Sequence, residues 1–169
     1  MTNNIKNFKC LGIDPGLARV GFGYVIKSED NIFYSDEYGC IETKSSLGFN
    51  NRIIKVYDTI TEHIKKNQPD IISIERLFFG RNVSSAANVY QARGVILLAA
   101  AQNNINVMEL WPAQIKLLIC GTGKAKKIEV QNKVRDILKL EKIPKPDDTA
   151  DALACAIAGI NLLRDEKIK

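Results

Sequence analysis

The chain has 169 residues, 46% of them hydrophobic, and carries 24 Lys and Arg against 19 Asp and Glu, a net charge of +5. That is enough chain to bury one good core, while no apolar run approaches the ~18 residues that would cross a bilayer, and polar Met1 to Lys9 has no apolar signal segment behind it. One domain over 1–169, with a polar extension at 1–8 and a polar tail at 164–169, and a cytoplasmic setting are therefore expected. The four cysteines, Cys10, Cys40, Cys120 and Cys155, lie far apart in or beside apolar stretches and show no Cys-x-x-Cys spacing. They read as small core residues, without disulfides or structural zinc.

From the amino terminus, Cys10 to Asp14, Val20 to Ile26 and Ile32 to Ile41 are strand-like and separated by short turns, which predicts an antiparallel meander of three strands. Ile53, Ile54, Tyr57, Ile60 and Ile64 recur at helical spacing, and that helix should stop near Asn67, before Pro69. Ile71 to Ile74 reads as a buried strand ending at Glu75. Ser84 to Asn103 reads as a helix apolar on more than one face, suited to the core or to a partner. A short strand at Val107 to Leu110, helices at Pro112 to Ile119 and Lys126 to Leu140, and a final helix from about Asp148 to Leu163 complete the order. This is an α/β pattern: a five-stranded mixed sheet, three antiparallel strands and then parallel crossovers, with helices on both faces. Right-handed crossovers would set the strands ending in Asp14 and Glu75 side by side and parallel, opening on the sheet edge where ligands of open α/β sheets bind.

Asp14 alone reads equally well as the opener of an Asp-Pro-Gly turn. Other acids bear on the choice. Asp148 and Asp151 are three residues apart and share a helix face, and Ala150, Ala152, Ala154, Ala156, Ala158 and Gly159 are small enough to let this helix lie close to the sheet. Capping would account for Asp147 by itself. Four carboxylates gathered without counterions would raise one another's pKa values, so a cluster of Asp14, Glu75, Asp148 and Asp151 makes sense chiefly with bound cations. With oxygen ligands and a single histidine, His63, on the polar side of an early helix, magnesium or manganese is expected. Such ions serve phosphodiester cleavage. Between Lys116 and Lys145 there are nine basic and three acidic residues, so one segment carries +6, which suits a polyanionic substrate although solvated lysines would look the same.

Gly-Ile-Asp-Pro-Gly at 12–16, Ile-Glu-Arg-Leu-Phe-Phe at 74–79, Gln-Ala-Arg-Gly at 91–94 and Asp-Thr-Ala-Asp-Ala-Leu-Ala at 148–154 together resemble the RuvC family of crossover-junction endonucleases, the Holliday-junction resolvases of the RNase H-like superfamily. The resemblance spans nearly the whole chain beyond its short amino-terminal extension. It implies that Asp14, Glu75, Asp148 and Asp151 are catalytic and bind Mg2+, for which Mn2+ can substitute, as one or two ions per site. It also implies a homodimer that nicks four-way junction DNA symmetrically, leaving 5'-phosphate and 3'-hydroxyl ends, alongside a branch-migration helicase complex of the RuvA and RuvB type. Phe78 matches an aromatic that stacks on bases at the crossover, the alternative being a core Phe. Lys116 and Lys127 match basic positions near the scissile phosphate, and the helix matching Ser84 to Asn103 contributes to dimerisation. Lys124 and Arg81 are expected backbone contacts by charge and loop position. Asp147 exceeds the family pattern; helical phase with Asp151 favours Asp148 as the ligand.

Three other functions fit parts of this pattern: a related nuclease acting on RNA or hybrids, a non-catalytic junction-binding protein, and an actin-like ATPase using Asp14-Pro15-Gly16 as a phosphate turn. The last lacks a second phosphate loop, and Gly121-Thr122-Gly123-Lys124-Ala125 fails the P-loop pattern because Leu118 and Ala125 occupy its required Gly and Ser/Thr positions.

Overall fold

A computed structural model describes residues 7–76 and 83–166. Three strands open the chain: β1 (Phe8–Asp14) and β2 (Arg19–Lys27) pair antiparallel, and the expected third strand arrives in two pieces, β3 (Phe33–Tyr34) and β4 (Tyr38–Glu42), which pair with successive stretches of β2. The break falls at Ser35-Asp36-Glu37, where the side chains of Asp36 and Glu37 turn to Lys9 and Lys66. The sheet therefore has six strands where five were expected, although β3 and β4 together occupy one position.

Helix α1 (Gly48–Asn67) crosses to β5 (Ile71–Glu75), which pairs parallel with β1, and α2 (Val83–Gln102) crosses to β6 (Val107–Leu110), parallel with β5. Then come α3 (Pro112–Cys120), α4 (Lys127–Ile137) and α5 (Asp147–Glu166). Helix α1 ends where expected, with Gln68 in the left-handed region and its N–H donated to the Ile64 carbonyl at 2.8 Å. Helix α4 stops three residues short of Leu140, because Lys139 takes φ 52° and the Leu140 N–H turns back to the Arg135 carbonyl.

Strand alternation sorts the side chains into two cores. Leu11, Ile13, Val20, Phe22, Tyr24, Ile72 and Ile74 face α1 and α2, meeting Val56, Ile60, Ile64, Ile96, Ala99 and Ala100. Cys10, Val25 and Ile71 face the other way, into a core built with α3, α4 and α5. That second face carries Gly12 and Asp14 of β1 with their partners Gly23 and Gly21 of β2, and Ser73 and Glu75 of β5 in line with them. The small residues set the distance to α5. A Cβ at Gly12 would overlap the carbonyl oxygen of Ala152, and one at Gly21 the carbonyl oxygen of Asp148. With Leu153, Ala154, Cys155, Ala156, Ile157 and Ala158 all essentially inaccessible, α5 lies directly on the sheet. Burying Leu153 alone is worth about 2 kcal/mol.

Two expectations are corrected. Cys10 and Cys155 are core residues, but Cys40 and Cys120 are only half-buried, since β4 lies at the sheet margin and Cys120 ends α3. His63 does not face solvent: its ring lies 4.3 Å from that of Phe22, its Nδ1 is 3.6 Å from Glu37, and burial lowers its pKa. Helix α2 is apolar on more than one face, as expected: Ala92 and Ile96 are buried while Leu98 is 49% exposed.

Candidate active site

The end of β1 places Asp14 beside Glu75 at the end of β5, because the two strands run parallel with Ile13 opposite Ile74. The turn after Asp14 is tied down: the Thr43 hydroxyl donates to the Leu17 carbonyl, the Thr43 N–H donates to the Ala18 carbonyl at 2.9 Å, and Arg52 Nε donates to Thr43 Oγ1 at 2.9 Å. The close approach permitted at Gly12 and Gly21 brings the first turns of α5 over this edge, with Asp148 and Asp151.

The electrostatics follow from that crowding. Burial, and then the charges of Asp151, Glu75 and Asp148, push the Asp14 pKa up to about 8. Burial and the Asp151 charge raise Glu75, and burial raises Asp151 despite the Lys127 ammonium beside it. Two cations partly offset the negative charge. Lys127 Nζ is 2.8 Å from Asp151 Oδ2, and although burial alone would depress its pKa, the attraction of Asp151, Asp147 and Asp14 holds it above the usual value. Arg19 Nε is 3.1 Å from Asp148 Oδ2, an oxygen shielded from water that accepts no well-aligned hydrogen bond from any described residue. Asp147 accepts a hydrogen bond from Lys145 at 2.7 Å, which lowers its pKa, and its other carboxylate oxygen lies 3.6 Å from Lys127.

An open cleft of about 240 Å³ is lined by Glu75, Asp151, Lys116, Lys127, Pro112, Ile115, Val130 and Ala154. Of the residues singled out in the sequence, Glu75, Asp151, Lys116 and Lys127 meet in this cleft, and Asp14 is coupled to the first two and to Asp148. Lys124 is exposed on the turn after α3 and does not line the cleft. Phe78 and Arg81 lie outside the described residues. Sequence reasoning missed Arg19. Its signal was the period of two: Arg19 precedes Gly21 by two residues on β2, so it shares the face on which Asp148 rests.

Among the described residues, no three acid, His or Cys side chains are grouped tightly enough to enclose an ion as they stand. Asp148 and Asp151 turn to Arg19 and Lys127 instead. The donor set nevertheless fits a hard divalent cation: four carboxylates, Cys155 and His63 directed into the two cores, and in Asp14 a carboxyl whose raised pKa marks negative charge that a cation would relieve.

The family described as "Crossover junction endodeoxyribonuclease RuvC" matches residues 10–159. The crossover junction endodeoxyribonuclease RuvC of Desulfitobacterium hafniense is 46% identical over 156 residues, covering 90% of this chain and 94% of that protein. The structure of T. thermophilus RuvC in complex with Holliday junction substrate is similar at TM-score 0.86 and 27% identity, over 94% of this chain and 96% of that one. The yeast mitochondrial Holliday junction resolvase Ydc2, 15% identical at TM-score 0.70 over 95% of this chain and 81% of that one, shares the fold. The mixed sheet with helices on both faces is thus an RNase H-like α/β fold, and this chain belongs to the RuvC family of crossover junction endodeoxyribonucleases.

Proposed function

We propose that this protein is a metal-dependent endonuclease that resolves four-way DNA junctions, with Asp14, Glu75, Asp148 and Asp151 as its metal-binding carboxylates. The observation that carries the reading is the meeting of four acids from three elements at one edge of the sheet, beside a cleft that also holds Lys116 and Lys127. Acids so placed repel one another and anions alike, whereas the two lysines attract phosphate, so the pair of features suits a cation sandwiched against a phosphodiester.

Bound Mg2+ would lower the pKa of an attacking water and stabilise the leaving 3' oxygen. The chain's own residues orient the reaction. Lys116, which lines the cleft with Glu75 and Asp151, would hold the scissile phosphate. Lys127, paired with Asp151 at 2.8 Å, would neutralise whichever of that acid and the phosphate needs it. Arg19 would hold the Asp148 carboxylate against the sheet edge. Mn2+ would substitute for Mg2+, with one or two ions at each site. A homodimer would present two such sites to strands of like polarity and leave 5'-phosphate and 3'-hydroxyl ends, and a branch-migration helicase complex of the RuvA and RuvB type is the natural partner. The contacts of α2 with a second copy would extend from the exposed Leu98 side of that helix. Among the described residues no helix is long and apolar enough to cross a membrane.

The direct test compares substrates. With Mg2+, a synthetic four-way junction should be cut while a linear duplex and an RNA–DNA hybrid of the same sequence are left intact; preferential cutting of the hybrid would move the chain to a nuclease acting on RNA. Phosphate contacts have their own signature. Lys116→Ala and Lys127→Ala should each weaken junction binding and reduce the slope of log K against log salt by ~1, measured by anisotropy of labelled junction. Unchanged slopes would return both lysines to the solvated surface.

A further inference from the structure

Trp111 is the protein's single tryptophan, and at 41% exposure it is among the largest apolar surfaces the fold leaves in contact with water. It sits where β6 gives way to α3, immediately before Pro112. A second, shallower cleft is lined by Trp111, Pro112, Ala113, Lys116 and Gly123. Pro112 and Lys116 are also walls of the acid-bearing cleft, so the two depressions share a boundary and a chain leaving one would enter the other.

The indole is held in place. The Arg76 guanidinium lies over the ring at 4.7 Å from its centroid, and Arg76 Nε is fixed by Glu109 at 3.2 Å. Glu109 in turn is held by Arg93 at 2.7 Å. The Arg76 backbone N–H donates to the Leu110 carbonyl at 2.8 Å, and the Trp111 backbone N–H donates to Gln114 Oε1 at 3.3 Å. Because Arg76 directly follows Glu75, the acid and the aromatic are tied to each other through one residue. A rigid aromatic face beside a lysine, continuous with a phosphate-cutting site, has the composition of a single-strand nucleic-acid subsite: a π-face for a base and a cation for the backbone.

We propose that Trp111 is a stacking platform for a nucleobase flanking the scissile phosphate, with Lys116 spanning the phosphate between platform and acids. The inference rests on the junction-cutting function proposed above. It assigns Trp111 the task of fixing the register of the cut strand over Glu75 and Asp151, with bases unpaired at the branch point as its ligands.

The single tryptophan makes the test specific. The Asp14→Asn protein with Mg2+ is titrated with four-way junction while a dye on the DNA reports binding and tryptophan emission reports stacking. Emission and its quenching by acrylamide should fall together with binding, and an abasic site at one nucleotide next to the cut position should restore both. Trp111→Leu should weaken junction affinity about 10-fold, and Trp111→Phe should recover most of it. Full binding with unchanged emission and acrylamide access, or an emission change that no abasic position reverses, would overturn the platform. Failure of the parent protein to bind the junction at all would overturn the function itself and the platform with it.

Discussion

Asp14→Asn should abolish junction cutting, lowering the rate by at least about 1,000-fold, while leaving junction binding intact. The substitution keeps the shape of the side chain and removes the charge that the other three acids crowd. It should also stabilise the protein in the absence of metal, with a defined dependence on pH. The folded-state pKa of about 8 lies above the ordinary value of 3.8. Between those two values the native state holds a proton that the unfolded chain has released. The contribution of Asp14 to the slope of unfolding free energy against pH is then negative, so the stability this group confers declines from about pH 4 to about pH 8 and levels off above it. Asparagine removes that decline. At pH 8.5 in EDTA the variant should be more stable on the order of 3 kcal/mol, with the difference vanishing near pH 4, as read by urea unfolding. Saturating Mg2+ should raise the midpoint of the parent protein and move that of the variant much less. A variant that cuts at the parental rate, or one that loses metal-free junction binding, would show that Asp14 serves the fold and not the cut.

Gly21→Ala carries the second large effect. The added methyl would overlap the backbone carbonyl of Asp148, which belongs to the first turn of α5 and cannot swing aside as a side-chain tip would. The amino end of α5 must then lift from the sheet, at a cost of about 3 kcal/mol. Asp148 and Asp151 move with it, and a misplacement of about 1 Å at a reacting centre costs on the order of 100-fold in rate. Activity measured well below the unfolding midpoint, with circular dichroism to establish that the protein is folded, should show that loss of cutting at near-parental junction affinity. Parental stability and cutting together would mean that α5 does not need this approach.

The acids were legible because each occupies a position that packing cannot explain: Asp14 and Glu75 end apolar strands, and Asp148 and Asp151 share a helix face. The small residues of α5 were legible too, as one half of a close contact. The other half was not read. Gly12, Gly21, Gly23 and Ser73 form a single patch only when the pairing of β1 with β2 and β5 is known, and that pairing is a long-range property. Arg19 escaped for the same reason, since its partner Asp148 lies 129 positions further along the chain. The division of the third strand at Ser35 to Glu37 depends on ion pairs with Lys9 and Lys66, which no local pattern announces. His63 is the opposite case: it follows Val56 by seven residues and Ile60 by three, so its helical phase already sets it beside the buried face of α1, where Phe22 and Tyr24 of β2 cover it.

Cleavage mapping on a four-way junction, with each of the four strands labelled in turn, tests the central claim most directly. Mg2+-dependent nicks are expected at symmetric positions in two strands of like polarity, producing linear duplexes whose nicks a ligase can seal. A junction that is bound yet left uncut with both Mg2+ and Mn2+ would contradict it.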